Sequence, residues 1–125
     1  MDINGLLTVE AHEAGAECNI LSPVDYKPTD VFISVMGSDS KVWRSAKKDQ
    51  TNKIIAARAA KKDIDYDALD IEALCKVTTA WRGITADGNE YECNDKNKKH
   101  LFENSPYIVN QLLEFIAKNE NFIKG

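Results

Sequence analysis

The chain has 125 residues, 43% of them apolar and 29% charged, with a formal net charge of −4. This is the size of one domain with one core and the balance of an ordinary globular protein, neither fibrous nor strongly biased toward one class of polyelectrolyte partner. No apolar run approaches the roughly 18 residues of a membrane span, and Met1–Asn4 lacks the basic and apolar regions of a signal peptide, so a cytosolic chain is expected.

Taken in order, residues 5–12, "GLLTVEAH", place Leu7, Val9 and Ala11 at alternate positions, which predicts a first strand. Residues 13–30 are turn-rich, with Gly15, Asn19, Pro23, Pro28 and Asp30. The β-branched and aromatic run "DVFISVMG" predicts a strand ending at Gly37. Two strands alone are marginal, so they require helices or further strand to pack on.

The period then changes. Ser38, Asp39 or Ser40 can cap a helix from Lys41 to about Lys62. Its apolar stripe of Trp43, Ala46, Ile54, Ala57 and Ala60 is thin and interrupted at "KKDQTN", so this helix is expected to bury little in its middle and to project from the body or end in a mobile segment. Eight bases lie within 41–62 (Lys41, Arg44, Lys47, Lys48, Lys53, Arg58, Lys61 and Lys62) against the single acid Asp49. The ten residues from Asp63 to Glu72 carry five acids and no base. A basic block followed by an acidic one points to two elements that meet each other, or a partner, electrostatically.

Asp65 or Asp67 can open a helix over about 67–82, with acids in its first turn complementing the helix dipole. Ile71, Leu74, Cys75, Thr78 and Trp81 recur at helical spacing, which makes Trp81 the last core anchor and Gly83 a left-handed terminus. Asp87-Gly88 predicts a tight turn in a short hairpin near 84–93, with Ile84, Tyr91 and Cys93 apolar. Asn94 or Asp95 caps a helix over 95–103. Ser105-Pro106 opens a last helix over 106–119, with Ile108, Val109, Leu112, Leu113, Phe115 and Ile116 on a wide apolar face. The reading is α+β in a single domain, 1–125: small N-terminal antiparallel strands over 5–36, then a mainly α-helical body.

Chemistry is sparse. Cys18, Cys75 and Cys93 are odd in number and widely spaced, which argues against a disulfide framework. With His12 and His100 they do not form the close pairs of a zinc site. The isolated glycines make no phosphate loop. The acids from Asp63 to Glu72 resemble a calcium loop only superficially, because Ala68 and Leu74 stand where glycine and glutamate belong. Ser38-Asp39-Ser40 reads as a helix cap, with no base beside it to activate a nucleophile. The basic stripe suits a phosphate backbone, but the acidic total and the absence of an aromatic stacking platform disfavour nucleic acid. A solvated helix face, or a surface for an acidic protein partner, is the better match for it.

The segments "VMGSDSKVWR", "AWRGITADGNEYECNDKN" and "HLFENSPYIVNQLLEFI", in this order around a basic Ala-rich helix, resemble the tail assembly chaperone family of long-tailed bacteriophages and prophages. The matching positions are Gly37, Asp39, Ser40, Trp81, Gly83, Ile84, Asp87, Gly88, Asn97, Leu101 and Pro106, and the resemblance covers residues 31–122. It implies a non-enzymatic assembly factor with no cofactor or catalytic residue. Such a factor acts in the host cytoplasm, is absent from the finished virion, and binds the tape measure protein while helping to recruit tail tube subunits. A homo-oligomer remains open. The alternative expectation is a structural virion protein of the tail or neck. The Lys41–Lys62 helix is the first candidate for the client surface, and the last helix the second.

Overall fold

The order of elements follows from where local signals and the core agree. In the computed structural model, which describes residues 1–123, a 3-10 turn Ile3–Leu6 precedes helix α1 (Val9–Ala14). Next come strands β1 (Ala16–Leu21) and β2 (Pro28–Val35), helices α2 (Lys41–Ala59) and α3 (Tyr66–Val77), and strand β3 (Thr78–Arg82). A two-residue-strand hairpin β4 (Thr85–Ala86) and β5 (Asn89–Glu90) leads to helices α4 (Asp95–Asn104) and α5 (Pro106–Ile116). The fold is α+β, with the antiparallel strands β1 and β2 ahead of the four longer helices and β3 following α3. Residues 124–125 of the expected single domain lie outside the described residues.

The sheet is antiparallel with order β1-β2-β3, Cys18 opposite Ile33 and Ile33 opposite Trp81. Alternate residues Cys18, Ile20, Ile33 and Val35 face one core with Leu74 and Val77 of α3, Phe102 of α4, and Ile108, Leu112 and Ile116 of α5. Gln111 of α5 meets the open edge of β1 at its last residue: its amide accepts from the Leu21 N–H at 2.8 Å and donates to the Leu21 carbonyl at 3.0 Å.

Several expectations are corrected. Residues 5–12 are not a strand but a 3-10 turn leading into α1. The place beside β2 is taken by Ala16–Leu21, inside the segment read as turns, because Cys18 and Ile20 alternate inward there. Asn19, a turn residue by type, instead bonds the Thr29 and Val31 carbonyls across the connection.

The helix expected over 67–82 ends at Val77, and Thr78–Arg82 runs on as β3. The β-branched Val77-Thr78-Thr79 is suited to extended backbone, and β2 would otherwise leave a second edge unpaired. Trp81 is buried as expected, but from a strand. Gly83, with φ +84°, therefore ends a strand rather than a helix, and its α-carbon lies so close to the Asp30 carbonyl that a side chain would overlap it.

The middle of α2 does not project. The "KKDQTN" stretch is helical and braced on α3: Lys53 pairs with Glu72 (2.6 Å), Asp49 with Lys76 (3.3 Å), and Gln50 donates to Asp70 (3.0 Å). A polar seam does the work the apolar stripe could not. The helix stops at Ala59, before Lys61 and Lys62, with Lys61 left-handed at φ 55°. The last helix ends at Ile116 rather than 119.

Candidate functional site

α2 is launched by Ser40, a buried N-cap whose hydroxyl accepts from the Trp43 N–H at 3.1 Å. Only Ala46 of α2 is fully buried. Ala46, Gln50 and Lys53 turn toward α3. By the 3.6-residue repeat, Lys41, Arg44, Lys48, Ile55 and Arg58 then fall on the opposite, solvent side. Ile55 is 59% exposed in the middle of these four bases. Among the described residues none of the four has an ion pair.

The eight predicted bases thus divide. Lys53 belongs to the α2–α3 seam, and Lys47 lies 5.4 Å over the Trp43 ring at the flank. Lys61 and Lys62 are exposed beyond the helix end. What remains is a cationic face with one apolar knob. Its chemistry is attraction to an anionic or mixed surface, weakened by salt.

A second surface was not visible in the sequence. Between α3 and α4 runs an open groove of about 930 Å³. It is lined by the apolar Ala68, Ile71 and Cys75, by five acids, Asp65, Asp67, Glu72, Asp95 and Glu103, and by two bases, Lys76 and Lys99. Its two bases are engaged: Lys76 with Asp49 and Glu72, Lys99 with Glu103. The lining is apolar in part and, on balance, acidic. The only signal for it in the sequence was the acidic block 63–72, which had no visible counterpart on α4.

The Gly37-Ser38-Asp39-Ser40 segment has a structural task. Asp39 accepts from the Thr8 hydroxyl at 2.5 Å, and its N–H donates to His12 Nδ1 at 2.9 Å. His12 is fully buried, stacked on Phe122 at 4.8 Å. Its Nε2 has no hydrogen-bond partner, and the Asp39 carboxylate lies 3.8 Å from it. The cluster fastens α1 to the start of α2. The imidazole touches no solvent, so no substrate reaches it.

The other motif positions are likewise architectural. Trp81 Nε1 donates to the Tyr91 carbonyl at 2.6 Å, and the two rings lie parallel, 5.9 Å apart. Asp87 and Gly88 both have positive φ, 52° and 81°, the geometry of a type I′ hairpin turn. Asn97 donates to the Glu92 carbonyl at 2.8 Å, tying the hairpin exit to α4; Ile84 and Leu101 pack on the core, and Pro106 begins α5. Most of the apolar face of α5 is buried, which removes it as a client surface.

The thiols are poor nucleophiles. Burial pushes Cys18 up to about 11 and raises Cys75 and Cys93 as well, with Lys98 pulling the last two partly back, so all three rest protonated. Among the described residues no group of His, Cys, Asp and Glu is placed to hold a metal ion. No family model matches the chain, and neither the curated proteins nor the solved structures yield a match.

Proposed function

We propose that this chain is a tail assembly chaperone of a long-tailed bacteriophage or prophage. In this reading it holds the tape measure protein before the tail tube polymerises and helps bring tube subunits to it. The reading comes from the ordered motifs between residues 31 and 122. The observation that best supports it is the α2 face of Lys41, Arg44, Lys48 and Arg58 around Ile55, charged beyond what the fold uses. A long helical client presents repeated faces on which such a surface can act, with on-rate supplied by charge and hold supplied by the apolar contact. No catalytic group is required.

The test is co-expression with the tape measure protein and recovery of the complex at low and high salt. Reversing Lys41, Arg44, Lys48 and Arg58 to glutamate should leave the fold intact, since exposed charges contribute little to stability, and should reduce recovery several-fold. Equal recovery by wild type and variant at low salt would move the binding surface elsewhere. Presence of the protein in purified virions would favour the structural tail or neck reading. Retention of duplex DNA with no capture of the client would replace both by a nucleic-acid function.

A further inference from the structure

We infer that the α3–α4 groove is a docking site for α2 of a second copy of this chain. The groove suits an occupant that is both apolar and cationic, because its lining joins Ala68, Ile71 and Cys75 to five acids, Asp65, Asp67, Glu72, Asp95 and Glu103, against two bases. The solvent face of α2 has that composition, with exposed Ile55 between Arg44, Lys48 and Arg58.

The pairing cannot be satisfied within one molecule. α2 is held on α3 through Asp49, Gln50 and Lys53, which turns the opposite, basic side of α2 to solvent and away from the groove. The lengths are compatible: the 19 residues of α2 span about 28 Å and the 12 of α3 about 18 Å, so some three turns of one helix can lie along the other. Helix-in-groove docking then sets Ile55 on the apolar lining, with bases nearest Asp65 and Asp67, the lining acids that have no ion pair among the described residues. The two surfaces differ, so the contact is heterologous. Each docked copy offers its own free groove or free α2, and assembly grows head to tail until it closes into a ring or runs on as a filament.

This inference does not rest on the client reading. Both use the α2 face, so the experiment is done on the isolated chain with no client present, and its failure leaves client capture to be judged by its own test. Sedimentation velocity is measured against protein concentration at low and high salt. The expected result is a mass that rises with concentration at low salt and returns to that of one chain at high salt. Reversing the helix (Lys41→Glu, Arg44→Glu, Lys48→Glu, Arg58→Glu) or the groove (Asp67→Lys, Asp95→Lys, Glu103→Lys) should each abolish the rise. A chain carrying both reversals has an acidic helix and a basic groove, and should associate again, which a merely misfolded variant would not do. Wild type that stays a single chain at every concentration, association that survives either single reversal, or a doubly reversed chain that is folded by circular dichroism yet monomeric, would each overturn the proposal.

Discussion

Gly37 and His12 are fitted to one another: the imidazole lies where a Cβ on Gly37 would be, and the Gly37 N–H donates to the His12 carbonyl at 2.9 Å. This glycine is required for space and not for a left-handed backbone. It lets α1 press against the turn before α2, where Asp39 holds both His12 and Thr8. Gly37→Ala should cost about 1–3 kcal/mol, the range for overpacking a filled site. In a His12→Ala background the same substitution should cost much less. Urea unfolding of the four proteins in the cycle measures the coupling, and additive costs would show that the two residues do not share the space.

Trp81 joins the sheet to the hairpin. Trp81→Ala should destabilise by about 3–5 kcal/mol, as for other large buried aromatics. Trp81→Phe should recover most of this while losing the bond to the Tyr91 carbonyl, worth about 1 kcal/mol. A melting midpoint unchanged in the alanine variant would contradict the burial described.

Gly83 and Gly88 both adopt positive φ but differ in surroundings. At Gly88 a Cβ meets nothing within 4 Å, whereas at Gly83 it would overlap the Asp30 carbonyl. Gly88→Ala should therefore cost about 1 kcal/mol from backbone strain alone, and Gly83→Ala clearly more. Equal losses in chemical denaturation would mean that β2 moves aside freely at Asp30.

Cys18 supplies a pH dependence of known sign. Burial raises its thiol from an ordinary 9.0 to about 11, so between these values the unfolded chain loses a proton that the folded chain keeps. The folded state then binds more protons, and stability falls as pH rises through this window. The contribution is fully present below pH 9.0. Stability measured from pH 8 to 11 should decline more steeply for the wild type than for Cys18→Ala. Parallel curves would show that the thiol does not resist ionisation.

Glu17 and Arg82 give the opposite sign at the acid end. The hydrogen bond from the Arg82 guanidinium, 2.8 Å, holds the Glu17 carboxyl below its usual value, so the stabilisation is present above about pH 4.5 and is lost as the carboxylate protonates below it. Both side chains are exposed and the effect is small and salt-sensitive. A carboxyl titration followed by NMR should show Glu17 returning to the ordinary range in Arg82→Ala. No movement would remove the pair as the cause.

Features that depend on neighbours within a few residues were legible in the sequence. The starts of α2 to α5 were legible to within a few residues, and of the candidates Ser40, Asp65 and Asn94 are the caps, accepting from N–H groups three positions on; Asp87-Gly88 makes its turn and Pro106 opens α5, because each is fixed by local backbone geometry. The cationic block on α2 was equally plain from composition. Only the tertiary structure decided the rest. Ile71, Leu74, Thr78 and Trp81 satisfy a helical repeat, yet the exposed edge of β2 draws Thr78–Arg82 into a strand, since an unpaired ladder costs more than a shortened helix. Nothing local to His12 marks it as core, because the groups that bury it, Gly37, Asp39 and Phe122, arrive from other elements. The acidic groove has the same origin. Asp67 and Ile71 of α3 and Asp95 and Glu103 of α4 become one surface only when the two helices pack on a common core, a juxtaposition that no periodicity along the chain records.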